Sequence, residues 1–159
     1  MRFIYNFQTR FNENLYWKKR IYCQNNNNFF SHLLLVDLRR IENLQCSNTG
    51  LGLGIPGKPM CRIDGKLNLP HRLNGIIIAR NVVIGKNVTI YQHVTIAEED
   101  PFKETVIGDD VVIGAGAVIL NNVKIGKGAK IGANAVVTHD IPGGGIAVGN
   151  PAHLINKIE

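Results

Sequence analysis

Residues 82–137 read VVIGKNVTIYQHVTIAEEDPFKETVIGDDVVIGAGAVILNNVKIGKGAKIGANAVV, and this stretch counts in sixes. Ile84, Ile90 and Ile96 stand six apart, and after one interruption the count resumes at Ile107, Ile113, Ile119, Ile125, Ile131 and Val137. Two residues before each lies a second small or branched residue: Val82, Val88, Val94, Thr105, Val111, Ala117, Val123, Ala129 and Ala135. Glycine follows the aliphatic residue at positions 85, 108, 114, 126 and 132. A period of six cannot hold one face of a helix with about 3.6 residues per turn. It suits a short Val- and Ile-rich strand, a turn and another strand, with each coil burying its aliphatics against the next. The expected fold class is therefore an all-β solenoid, a parallel β-helix.

Two departures from the count stand out. Ile96 and Ile107 are eleven residues apart instead of six, so five extra residues leave the coil as a loop at 97–104, carrying Glu98, Glu99, Asp100 and Lys103. Loops ejected from rigid scaffolds often carry function. Upstream, Leu69 and Ile78 are nine apart, and the three extra residues fall in the phrase PHRLNG. A bulge there throws His71 out of the coil. Imidazole titrates near neutral pH and suits a general base, so His71 is the leading catalytic candidate.

Around the repeat, residues 1–45 are expected to form a short helical N-terminal arm, with Phe3, Phe7, Phe11 and Leu15 on one ridge and Phe30, Leu34, Leu38, Ile41 and Leu44 on another. The Asn run at 25–28 separates them as a polar loop. Packing on the end of the β-helix or on a neighbouring subunit is the expected role of the arm, and contact of its basic aromatic face with a membrane surface is the alternative. The β-helix domain is expected over 46–155, with a short tail at 156–159. Gly50, Gly52 and Gly54 precede Pro56 and Pro59 and read as turn geometry at the first coil, not as a phosphate loop.

The chain has 159 residues and a formal net charge of +6, which suggests affinity for anions. No nucleic-acid motif accompanies the scattered basic residues, so a nucleic-acid partner is not expected. No run approaches the roughly 20 apolar residues needed to span a bilayer, and the first residues are too charged for a secretory leader. Cys23, Cys46 and Cys61 lack metal-ligand spacing and read as reduced thiols of a cytoplasmic protein.

The phrasing V-x-I-G-x-x-V/A resembles the hexapeptide-repeat acyltransferases. The matching stretches are LNLPHRLNGIIIARNVVIGKNVTIYQHVTIA, residues 67–97, and the coils from Val106 through KIGANAVVTHDIPGGGIAVGNPAHLI. Within that family the resemblance is closest to serine acetyltransferase-like and capsular-polysaccharide O-acetyltransferases. It implies a left-handed β-helix, a homotrimer with sites shared between subunits, and acetyl-CoA as co-substrate without a metal. It also sets His71 at the position of the essential histidine, with one extra residue before Gly75.

The resemblance further implies coenzyme contacts at Ala115, Lys130 and Ala133. Small residues at Gly114-Ala115-Gly116-Ala117 and Gly132-Ala133 would leave room for a pantetheine arm. The backbone N–H groups of Ala97 and Glu98 are candidates for holding the developing oxyanion. Glu98, Glu99 and His93 are candidates for contacting the acceptor. The metal-dependent alternative on this fold, a gamma-class carbonic anhydrase, lacks its H-x-x-x-x-H spacing here.

Two departures from the serine-specific pattern bear on the acceptor. The family usually has Asp before this histidine, whereas Pro70 stands here, and its Arg-His pair before the resumed coil aligns with Lys103 and Glu104. The expectation is an O-acetyltransferase acting on a sugar or polysaccharide-precursor hydroxyl. The alternatives are a serine O-acetyltransferase for cysteine synthesis and a catalytically silent β-helix binding module.

Overall fold

The computed structural model describes residues 12–44, 61–97, 102–120 and 122–157. Among the described residues two helices come first, α1 (Glu13–Asn25) and α2 (Phe29–Leu44). Thirteen short strands follow: β1 (Arg62–Ile63), β2 (Ile77–Ile78), β3 (Val82–Ile84), β4 (Thr89–Ile90), β5 (Thr95–Ile96), β6 (Thr105–Ile107) and β7 (Val112–Ile113), then β8 (Val118–Ile119), β9 (Lys124–Ile125), β10 (Lys130–Ile131), β11 (Val136–Val137), β12 (Gly145–Val148) and β13 (His153–Lys157).

The strands form three sheets in the orders β1-β3-β6-β9, β13-β12-β10-β7-β4 and β11-β8-β5-β2. Every pairing is parallel except β12 with β13. From β2 to β11 successive strands visit the three sheets in turn, so the chain winds as a three-sided parallel β-helix, and the helical arm joins it at one end.

Register follows the aliphatic count. Ile107 aligns with Ile125, eighteen residues on, which is three sides of six. Ile84 aligns with Ile107, twenty-three residues on, five more than three sides of six. Ile63 aligns with Ile84, twenty-one residues on, and the three surplus residues are those of the His71 bulge. The core is a column of stacked aliphatics in which Ile84, Ile90, Ile96, Ile113 and Ile119 are wholly buried, together with Val88, Val94, Val111 and Ala117. Burying each large aliphatic side chain contributes about 1.5–3 kcal/mol, which is how strands of two or three residues persist.

The arm seats on the first coil. Asn12 caps α1 by accepting from the Leu15 N–H at 3.0 Å. Asn28 and Ser31 cap α2 reciprocally, the Ser31 N–H donating to Asn28 Oδ1 and the Asn28 N–H to Ser31 Oγ, each at 2.9 Å. The two helices are tied by the Lys19–Asp37 ion pair and by Tyr16 Oη donating to Glu42 Oε1 at 2.7 Å. Strand β1 is an edge that would leave backbone groups unpaired. The Gln24 side-chain amide meets both groups of Ile63, its Nε2 donating to the carbonyl at 3.2 Å and its Oε1 accepting from the N–H at 3.4 Å.

The buried faces of the helices differ from the expected ridges. Helix α1 buries Tyr16, Trp17, Arg20 and Cys23 and exposes Leu15, while α2 buries Ser31, Leu35, Leu38 and Glu42 and exposes Phe30. The end of the solenoid takes up long amphipathic side chains beside Cys61, while Leu34 and Ile41 of the expected α2 ridge pack against the core together with Leu38. Phe3, Phe7 and Phe11, Cys46, and the glycines at 50, 52 and 54 lie outside the described residues.

Candidate active site

One corner of the prism gathers most of the candidates. Since Ile77 aligns with Thr95, Thr95 with Val118, and Val118 with Val136, the residues preceding these strands stack in columns. Leu73, Tyr91, Gly114 and Gly132 form one column, followed by Asn74, Gln92, Ala115 and Ala133, and then by Gly75, His93, Gly116 and Asn134. The last column is left-handed throughout, with φ of 62° at Gly75, 60° at His93, 68° at Gly116 and 56° at Asn134. Glycine and asparagine adopt this conformation readily, but histidine does so at a cost.

The His71 bulge opens onto this corner. Leu69 and Leu73 are buried anchors, and Pro70, His71 and Arg72 between them are exposed. A turn closes the bulge, with the Arg72 N–H donating to the Leu69 carbonyl at 2.9 Å and Arg72 at a φ of 60°. Among the described residues His71 has no hydrogen-bond partner, and its ring lies against Tyr91, with centroids 6.0 Å apart and planes tilted by 44°. The Pro70 position supplies no carboxylate to hold the imidazole. His93 is not a strand residue but the left-handed corner residue of the next coil. Its backbone N–H donates to the Asn74 carbonyl at 2.9 Å, and its ring lies over Gly75, where a Cβ would strike it.

The late coils continue the corner with small residues. Gly114, Ala115 and Gly116 are half-buried and Ala133 is exposed, one coil apart on the same edge. A Cβ on Gly114 would come within 2.6 Å of the Ala133 backbone nitrogen, so glycine is needed for the coils to stack there. Lys130 lies on the outer face of β10, exposed between Val112 and Ile146. Ala97 is at the far end of β5, across one side of the prism from the corner.

The Ala97 N–H donates to the Ile119 carbonyl at 2.8 Å, so it continues the sheet and is not open to an oxyanion. That corrects the sequence expectation for this group, and the reason is that the coil stays in register one residue beyond β5. Glu98, Glu99 and Asp100 lie outside the described residues, whereas Phe102, Lys103 and Glu104 at the end of the loop are exposed. The remaining histidines are apart: His139 bonds to Thr138 Oγ1 at 2.7 Å, His153 bonds to the Pro151 carbonyl at 3.0 Å, and His32 lies on α2. No group of three His, Cys, Asp or Glu side chains suited to a metal ion occurs among the described residues, and no described helix is long and apolar enough to cross a membrane.

Two residues at this corner were not singled out by sequence reasoning. Tyr91 touches His71, and Gln92 carries a buried Oε1 with no partner among the described residues. A signal was present, because the equivalent corners of the late coils read Gly-Ala-Gly and Gly-Ala-Asn whereas this one reads Tyr-Gln-His.

The three-sided coil of this chain, built on a six-residue count, is of the hexapeptide-repeat type. Residues 104–139 match the bacterial transferase hexapeptide model of six repeats, and the solved structures it is similar to are serine acetyltransferases. The enzyme of Neisseria gonorrhoeae is 28% identical, with a TM-score of 0.68 over 90% of this chain and 51% of that one. The soybean enzyme complexed with serine is 35% identical, with a TM-score of 0.68 over 88% of this chain and 54% of that one. The Brucella abortus enzyme in complex with coenzyme A is 27% identical, with a TM-score of 0.66 over 82% of this chain and 48% of that one. The chain thus spans about half the length of the structures it resembles. No protein of curated function matches it by sequence.

Proposed function

We propose that this chain is an acetyl-CoA-dependent O-acetyltransferase on a left-handed β-helix, with His71 as general base and the hydroxyl of serine or a closely similar amino acid as acceptor. The observation that carries the reading is the three-residue bulge, which sets an imidazole on a corner whose later coils are lined by small residues. The His71 imidazole takes the proton of the acceptor hydroxyl as its oxygen attacks the thioester carbonyl. The tetrahedral intermediate then collapses, the carbon–sulfur bond breaks, and the imidazolium returns the proton to the coenzyme thiolate. Gly114, Ala115 and Ala133 would flank the pantetheine arm, and Lys130 would face a coenzyme phosphate. No acyl-enzyme is required, since Cys61 is wholly buried and its thiol is pushed up to about 11 by that burial.

Serine is favoured as acceptor by the similarity to serine acetyltransferases, one of them complexed with serine. A sugar or polysaccharide-precursor hydroxyl is the second reading, and Pro70, Lys103 and Glu104 favour it, because they stand where the serine-specific pattern has Asp, Arg and His. A homotrimer is proposed as the working assembly. Its support is the outer face of the sheet holding Ile77, Val118 and Val136, where Ile77 is 45% exposed. Cys23 and Cys61 are both free, which fits a reducing, cytoplasmic setting.

The test is release of coenzyme A thiol from acetyl-CoA, measured with free serine, simple sugars, nucleotide sugars and lipid-linked glycans, beside light scattering for the mass. Serine-dependent release by a particle of three chain masses is the expected result. Release with a sugar alone would move the reading to the second acceptor. Thioester loss that no acceptor accelerates would remove the enzyme assignment. As a check on the groove, Ala133→Trp should abolish acetyl-CoA binding in calorimetry with circular dichroism unchanged, and undiminished binding would put the coenzyme elsewhere.

A further inference from the structure

We infer that Tyr91 is the positioning residue for His71, its ring replacing the side-chain carboxylate that Pro70 cannot supply. The inference rests on the reading of His71 as the base. Three observations carry it. The bulge leaves His71 exposed and, among the described residues, without a hydrogen bond, so nothing polar there selects a rotamer. An exposed imidazole samples about three χ1 wells, and only part of that population would face an acceptor. The one ring contact of His71 among the described residues is Tyr91, at 6.0 Å between centroids, half-buried and held between β4 and β5 by the stacked coil.

The third observation is that the later coils of this column do without a large residue, although Leu73 fills it in the coil before. The same column holds Gly114 and Gly132 in the next coils, where an added Cβ would meet the neighbouring coil at 2.6 and 2.8 Å. Regular stacking is thus satisfied by glycine, and the aromatic ring occurs at the one position of this column that faces the bulge across a single coil step. An edge-tilted ring pair favours a limited set of mutual orientations. Tyr91 therefore narrows the imidazole to one side of the bulge before the acceptor arrives.

The experiment compares Tyr91→Phe, Tyr91→Leu and Tyr91→Ala in the full chain. Phe keeps the ring, and Leu fills the corner without one. Turnover should be kept by Phe and fall roughly 3-fold in Leu and Ala, the size expected when a side chain regains about three rotamers, with the KM for acetyl-CoA unchanged in all three. The ring-current shift of the His71 imidazole protons in NMR should persist in Phe and vanish in Leu. Combined with His71→Ala, Tyr91→Leu should add no further loss. Full activity in Tyr91→Leu with His71→Ala inactive overturns the positioning role alone. Full activity in His71→Ala overturns the base assignment instead. Equal loss in Phe and Leu would mean that the hydroxyl acts and not the ring, which also overturns the inference.

Discussion

The late coils and the first coils are built from the same six-residue count and differ in what interrupts it. From Ile107 to Val137 the register advances by eighteen residues per turn, the corners stacked on residues 91–93 read Gly-Ala-Gly and Gly-Ala-Asn, and the interior is a dry stack of mainly Ile, Val and Ala. From Cys61 to Ile96 the same path carries a three-residue bulge, a corner reading Tyr-Gln-His and an interior end where Arg20 and Glu42 are buried beside Cys61. The regular coils show what the fold needs. Whatever the early coils carry beyond that is available for chemistry or for docking the arm.

If that division is right, the strongest break in it comes from His71→Ala. The residue is exposed and contributes nothing to the aliphatic column, so thermal unfolding and coenzyme affinity should be unchanged. Turnover should fall by about 100- to 10,000-fold, the range for a lost general base. His93→Ala in the same assay should cost far less. The comparison fails in the opposite case, with His93→Ala inactive and His71→Ala normal, and the corner imidazole of His93 would then be the base.

Legibility follows the same division. The aliphatic count named the core of the solenoid from Val82 to Val137, because each inward residue there meets its own kind one coil away, and sequence spacing alone decides that. The two departures from the count were legible for the same reason: nine residues between Leu69 and Ile78 and eleven between Ile96 and Ile107 appear as a bulge and a loop of three and five surplus residues. The neighbour of His71 was not legible. Tyr91 is twenty residues away, and the pairing depends on how the bulge folds back over the following coil. The helix faces were legible only in part: Leu34, Leu38 and Ile41 of α2 pack on the core, but the burial of Trp17, Arg20 and Glu42 at the end of the solenoid was not read from the sequence.

The burial of a thiol at the early end of the core can be titrated. The Cys61 thiol is raised from 9.0 to about 11, chiefly by burial, with Arg20 working against that and Glu42 adding to it. Cys23 is raised for the same first reason. Below pH 9 the Cys61 thiol is protonated in both states and its contribution is intact. Between 9 and 11 the unfolded chain releases the proton and the folded chain keeps it, so stability falls as pH rises. A rise of that size corresponds to about 2–3 kcal/mol lost across the window. Urea unfolding at pH 8 and pH 10.5 reads the loss, and Cys61→Ala should shrink the difference between them. An unchanged difference would mean that other groups set the alkaline limit.

The finest distinction lies at this one corner, where glycine serves two different purposes. At Gly114 an added Cβ would meet backbone of the next coil, which cannot give way, so Gly114→Ala should disturb the stacking itself. At Gly75 the obstruction is the His93 ring, a side chain able to swing aside, and the remaining cost is the left-handed φ of 62°. That conformation costs an alanine about 1–2 kcal/mol. Gly75→Ala should therefore lower stability by that amount plus whatever the displaced ring was contributing. Repeating it in His93→Ala isolates the second part, because with the ring gone only the backbone cost is left. A smaller loss in the His93→Ala background is expected, and its size measures how firmly the Tyr-Gln-His corner is seated on the bulged coil. Equal losses in the two backgrounds would show His93 to be loosely held, and the corner would then be braced by Tyr91 without its neighbour.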